Sequence, residues 1–171
     1  MQLERRFATE LRTKGRVLEG YAARFGIEAR IGHVVEVIRP GAFSASLASG
    51  RDILALVDHD PKRVLARTKS GNLKLSEDSA GLQFEVSVPD TTFGADILEL
   101  AERGDLGGMS FAFTVAKDGE RWTGRRRELL QVDLHEISVV SAFPAYDGTT
   151  VNPRALTPRL NLATRYLETI R

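Results

Sequence analysis

Apolar and polar residues alternate along most of this chain in short runs, each closed by Gly, Asp, Asn or Ser. That is the pattern of half-buried strands joined by tight turns. It predicts strands over 16–25, 33–38, 53–57, 64–68, 73–76, 82–88, 109–116 and 128–140. Ser70-Gly71-Asn72, Ser79-Ala80-Gly81 and Lys117-Asp118-Gly119 supply the turn residues between several of them.

Three segments switch to a helical pattern. The first, 42–49, is short and follows Pro40-Gly41. The second, Thr92–Arg103, carries Ile97, Leu98 and Ala101 as a stripe, with Asp90 or Thr91 to cap its start and Gly104 for the left-handed residue beyond its end. A third begins near Thr157-Pro158 and sets Ala163, Tyr166, Leu167 and Ile170 on one side. Pro144, Pro153 and Pro158 interrupt the approach to it, which divides the chain into a mainly β domain over 1–154 and a helical tail over 155–171. The fold class expected is therefore mainly β with about three helices.

Composition narrows the chemistry. With 171 residues, 42% of them hydrophobic and 27% charged, the chain is long enough to bury a real core. It has no cysteine, which removes disulfides, thiolate metal sites and cysteine nucleophiles. A formal net charge of +1 lends nothing to nucleic-acid binding. The N-terminal residues lack an apolar signal core and no stretch is long enough to span a bilayer, so neither nucleic acid nor membrane is expected as a partner. Arg121, Arg125, Arg126 and Arg127 gather around Trp122, readable as a solvated hairpin tip or as a contact for an acidic partner.

Three residue types that together let a hydroxyl attack a carbonyl stand out. Ser110 follows Gly107-Gly108-Met109 at the start of an apolar strand, where missing side chains allow a substrate backbone to approach. It shares a strand face with Ala112 and Thr114, opposite Phe111, Phe113 and Val115. His59 continues the face of Ile53, Ala55 and Val57 at a strand end, flanked by Asp58 and Asp60. Glu136 stands in the alternation Val132, Leu134, Glu136, Ser138, Val140, where an apolar residue is expected. Burying a carboxylate costs on the order of several kcal/mol unless it is paired, and a histidine needing orientation is a sensible partner. A bulge can instead turn Glu136 outward, leaving His135 and Asp133 on the opposite face as substitutes. His33, His59 and His135 lack the close spacing of a metal site, so no metal and no cofactor is expected. The Gly-x-Ser-x-Gly elbow and the α/β alternation of small-ester hydrolases are missing as well.

Several motifs occur in order along the chain: Glu19-Gly20-Tyr21-Ala22-Ala23-Arg24-Phe25-Gly26, Pro40-Gly41-Ala42-Phe43, Asp58-His59-Asp60-Pro61, Arg103-Gly104-Asp105-Leu106-Gly107-Gly108-Met109-Ser110-Phe111, Glu136-Ile137-Ser138-Val139-Val140 and Pro144-Ala145-Tyr146. Together they resemble the HK97-type prohead proteases of tailed bacteriophages, a family similar in fold to the herpesvirus assembly proteases. The resemblance implies a β-barrel wrapped by a few helices, with the protease domain over 1–154. It implies Ser110 as nucleophile and His59 as general base, with Glu136 at the place where herpesvirus enzymes use a second histidine. By the same analogy, backbone N–H groups near Ser141, Ala142 and Phe143 are the oxyanion donors. Implied substrates are extended segments of capsid and scaffold protein, cut in the host cytoplasm inside the assembling prohead. Cleavage of the chain itself and a homo-oligomer are compatible with that picture. The tail over 155–171 reads as a targeting or self-cleaved segment, or as a helix packed on the barrel. The competing reading is a barrel that keeps the fold and serves capsid assembly without catalysis.

Overall fold

The computed structural model describes residues 2–141 apart from Thr9. In chain order its elements are β1 (Glu4–Ala8), β2 (Glu10–Lys14), β3 (Val17–Arg24), β4 (Glu28–Ile31), β5 (Val34–Ile38), α1 (Ser44–Ala48), β6 (Leu54–Val57), β7 (Asp60–Arg67), β8 (Leu73–Glu77), β9 (Gly81–Ser87), α2 (Thr92–Arg103), β10 (Gly108–Val115), β11 (Glu120–Thr123), β12 (Arg126–Leu129) and β13 (Val132–Val140). The protein is mainly β, as the alternating pattern predicts.

The strands form three sheets, in the orders β1-β10-β13-β6-β7, β11-β12-β5-β4 and β2-β3-β9-β8. In the five-stranded sheet β10 runs antiparallel to both β1 and β13, while β13 runs parallel to β6. One face of this sheet supplies Met109, Phe111, Phe113, Ile137 and Val139 to the core, together with Leu18, Phe43, Phe84 and Ile97 from other elements. Aromatic rings run through that core in sequence: Phe25 to Phe43, Phe43 to Phe111 and Phe111 to Phe113, at centroid distances of 6.2, 5.6 and 5.4 Å. Rings at such offsets add to the burial of their area, so β10 is anchored firmly on its core side.

Helix α2 takes the predicted bounds. Thr91, rather than Asp90, caps it, its Oγ1 accepting from Gly94 N at 3.0 Å, and Gly104 closes it at φ 74°. Helix α1 is shorter than expected. The third expected helix falls outside the described residues.

Four expectations about strands need correction. The long strand over 128–140 divides, because Leu130 N and Gln131 N both donate to Gly119 O and turn the chain between sheets. β12 then pairs with β5, and β13 with β10 and β6. The strand expected over 64–68 starts at Asp60, as an exposed edge whose irregular register accommodates Pro61. Strands β1 and β2 are not predicted by the pattern, since their residues are mostly charged or polar; tertiary pairing with β10 and β3 forms them. β4 is likewise mostly exposed and owes its form to β5.

The basic cluster splits between solvent and interior. β11 and β12 do form a hairpin with Trp122 exposed, but Arg127 is drawn inward, where it pairs with Glu4, Glu36 and Glu120. Arg6 reaches the same Glu36 from β1. Arg121 pairs with Glu128 and Arg126 with Glu28.

Candidate active site

The β6–β7 hairpin pairs Val57 with Asp60, leaving Asp58 and His59 as its two-residue turn. Both have positive φ, 51° and 59°, the double left-handed conformation that matches the twist of a hairpin. For residues with a Cβ that conformation is strained, and the surroundings hold it. Asp58 N donates to Val139 O at 2.9 Å, and the Asp58 carboxylate accepts from Ser141 N at 2.8 Å and Ser141 Oγ at 2.7 Å. His59 N donates to Ser138 Oγ at 3.2 Å. The turn is thus bolted to the end of β13. It also breaks the strand alternation: Ala55 and Val57 enter the core, whereas the His59 ring reaches Glu136 on the other side of the sheet. The shared face expected for His59 with Ile53, Ala55 and Val57 is corrected accordingly.

Glu136 reaches that face through a bulge. Ala112 pairs with Glu136 but Phe113 pairs with Leu134, so His135 is an extra residue on β13. Val132 and Leu134 therefore join the core, while Glu136 and Ser138 point the opposite way, with Ser110 and Ala112. The single alternating face expected from Val132 to Val140 does not exist. The bulge takes Glu136 off the core without exposing it: the residue is only 8% accessible. One carboxylate oxygen, Oε1, holds His59 Nδ1, and the other, Oε2, accepts from Ser138 Oγ at 2.8 Å. With Glu136 ionised and the ring neutral, the His59 proton belongs on Nδ1 and Nε2 presents a lone pair.

Ser110 is fully buried. Its cross-strand neighbours are Phe7 on β1 and Ser138 on β13. Directly paired residues on antiparallel strands project to one face. Both neighbours touch His59, Phe7 through an edge-on ring contact at 6.3 Å and Ser138 through its hydroxyl. The histidine therefore lies on the face onto which Ser110 projects. Ser110 Oγ and His59 Nε2 are both buried, and neither has a hydrogen-bond partner among the described residues.

The remaining sequence candidates lie elsewhere. His135 sits in the bulge with Nε2 3.0 Å from Thr114 Oγ1 and Nδ1 3.5 Å from Arg51. Burial lowers its pKa below the ordinary value of 6.5, Arg51 adds to this, and Asp133 and Glu136 oppose it. Asp60 Oδ1 accepts from Lys62 N at 2.9 Å, closing its own turn. Of the three oxyanion candidates, Ser141 N is engaged by Asp58, while Ala142 and Phe143 lie outside the described residues. His33 is exposed in the β4–β5 turn, and among the described residues no group of three or more His, Asp or Glu could hold a metal.

Sequence reasoning missed Ser138 and the part played by Asp58. The available signal was weak: a hydroxyl two positions from Glu136 on an otherwise apolar strand, and an acid beside the histidine.

A family model described as caudovirus prohead serine protease matches residues 2–160. The chain belongs to that family. No curated protein and no solved structure matches it. This prohead protease is thus a serine protease of capsid maturation, and the family match spans every described element, from β1 to β13. Among its described residues no helix is long and apolar enough to cross a membrane.

Proposed function

We propose that the prohead protease cuts extended segments of capsid or scaffold protein through a Ser110–His59–Glu136 acyl-enzyme mechanism, inside the assembling prohead. His59 Nε2 takes the Ser110 proton as Oγ attacks the scissile carbonyl, and the imidazolium is stabilised by Glu136 at Nδ1. The tetrahedral adduct collapses when His59 passes that proton to the leaving amine. Water, activated by the same nitrogen, then hydrolyses the acyl-enzyme and restores the Ser110 hydroxyl.

The observation that carries this reading is the asymmetry of the histidine. Nδ1 is held by a buried carboxylate, while Nε2 and the Ser110 hydroxyl, on one face of one sheet, are both without partners among the described residues. Most buried side-chain polar atoms are satisfied, so a purely structural histidine in so enclosed a place would ordinarily have both nitrogens paired. Ser138, the other buried hydroxyl beside His59, already donates to Glu136 and is a poor candidate for nucleophile.

Co-expression with the cognate capsid and scaffold proteins tests the proposal. The wild-type chain is expected to yield a shortened substrate, and Ser110→Ala is expected to abolish the product while leaving the circular dichroism spectrum and melting temperature unchanged. Undiminished processing by Ser110→Ala refutes the nucleophile assignment. The division at 154/155 belongs to the same proposal, and intact-mass analysis of the chain after co-expression shows whether 155–171 is removed.

A further inference from the structure

We infer that Ser138 is a positioning residue of this protease, locking Glu136 and His59 together while leaving Ser110 free to react. The inference rests on Ser110, His59 and Glu136 being the reacting groups.

Ser138 is fully buried, and its hydroxyl has one proton and two lone pairs to place. An ionised carboxylate only accepts, so the proton lies on the 2.8 Å bond to Glu136 Oε2. A lone pair accepts from His59 N at 3.2 Å. The other carboxylate oxygen holds His59 Nδ1. These contacts close a ring from the His59 main chain, through Ser138 and both oxygens of Glu136, back to the His59 side chain. Rotating the carboxylate or relaxing the strained turn breaks a link of that ring, so each contact holds the others.

The same arrangement settles which serine is free. Ser138 and Ser110 are directly paired across β13 and β10, and such pairs readily hydrogen-bond to each other. The Ser138 proton is committed to Glu136 instead, and Ser110 Oγ has no partner among the described residues. Ser138 thereby supports the base without competing for the nucleophile.

Truncating Ser138 leaves Glu136 Oε2 and His59 N–H each one partner short in a buried site. Without the hydroxyl to draw charge toward Oε2, more of it rests on Oε1, which favours the imidazolium. Among the described residues, the titratable and charged groups around this centre include Glu136, His59, Asp58 (engaged by Ser141), Asp60 beside His59, His135, which interacts with Glu136, and Arg5, which β1 places beside Ala112 on the same face.

The test uses the full-length protein, reading Ser110 phosphonylation by a fluorophosphonate probe alongside cleavage of co-expressed substrate. Ser138→Ala is expected to slow both by about tenfold to a hundredfold. The acid limb of its labelling rate is expected to move upward, with the melt still cooperative. Ser138→Thr, which restores the hydroxyl, is expected to recover most of the rate. In a Glu136→Gln background the Ser138→Ala change is expected to cost little, because the partner it acts through is already altered. Unchanged rate and pH profile in Ser138→Ala overturn the inference, as does an equal loss in both backgrounds. Should Ser138→Thr fail to fold, the double-mutant cycle decides alone. Activity that survives Ser110→Ala sinks the triad reading itself, whereas dependence on Ser110 with an indifferent Ser138→Ala sinks only this inference.

Discussion

At the scale of single residues, the candidate centre turns on which acid faces the histidine. Asp58 binds Ser141, Asp60 closes its own turn and His135 faces Thr114, so Glu136 is the acid on the imidazole. Glu136→Gln is therefore expected to slow cleavage by roughly 10²–10⁴ while retaining the fold, the range for a triad histidine that loses its orienting carboxylate. Asp60→Asn and His135→Ala are expected to stay within a few-fold of wild type. A crippled His135→Ala beside a near-neutral Glu136→Gln moves the third member off Glu136. His135 has its own pH signature. Its folded pKa lies below its ordinary value of 6.5, so the unfolded state binds more protons there as the solution is acidified. Its contribution to stability is complete above about pH 6.5 and is lost as pH falls through the folded pKa. Urea melts at pH 7.5 and 5.5 are expected to show a smaller acid loss in His135→Gln than in wild type; equal losses exclude this residue as the cause.

At the scale of elements, two devices set the geometry: a left-handed turn and a bulge. The turn swings His59 across the sheet, and the bulge at His135 brings Glu136 to meet it. Helix α2 shows how closely elements approach elsewhere. A Cβ on Gly94 would stand 2.2 Å from Pro89 O and 3.0 Å from Val88 Cγ1. Alanine is the better helix former by about 1 kcal/mol, but the backbone clash outweighs that preference. Gly94→Ala is expected to cost about 1–3 kcal/mol in chemical denaturation, while Asp96→Ala on the exposed face stays within ~0.5 kcal/mol. Equal midpoints for the two variants would show that the helix can move aside.

At the scale of the whole molecule, β1 is the piece that unites site and scaffold. It lies directly beside the Ser110 strand, and its Glu4 and Arg6 join Glu36 of β5 and Arg127 of β12 in one ion network between two sheets. Glu36 is only 2% exposed and is shared by Arg6 and Arg127, so removing Arg127 leaves a buried carboxylate with one cation in place of two. Arg127→Met is expected to lose about 1–3 kcal/mol, against no loss for Ser110→Ala, by urea denaturation, because Arg6 still holds Glu36. The same network governs acid stability. Burial alone would raise the Glu4 pKa, but Arg127 and Arg6 overcome it and hold Glu4 below its ordinary 4.5. Its contribution is complete above about pH 4.5 and fades on further acidification.

The amino-acid pattern by itself determined the mainly β class and the bounds of α2 and offered the three residue types of the candidate centre, because alternation, caps and turn residues are local properties. It also exposed Glu136 as a misfit, since a carboxylate in an apolar run is visible in one dimension. Tertiary structure decided the rest. β1 and β2 carry too few apolar residues to announce themselves and exist through pairing with β10 and β3. The break at Leu130 depends on Gly119, far back in the chain. Most of all, alternation assigned His59 and Glu136 to faces they do not occupy. A positive-φ turn and a one-residue bulge each reverse the face of the residues beyond them, and neither leaves a periodic trace. The candidate residues were therefore legible one by one, while the meeting of Glu136, His59 and Ser138 on the Ser110 face was the work of backbone irregularities that only the assembled sheet makes visible.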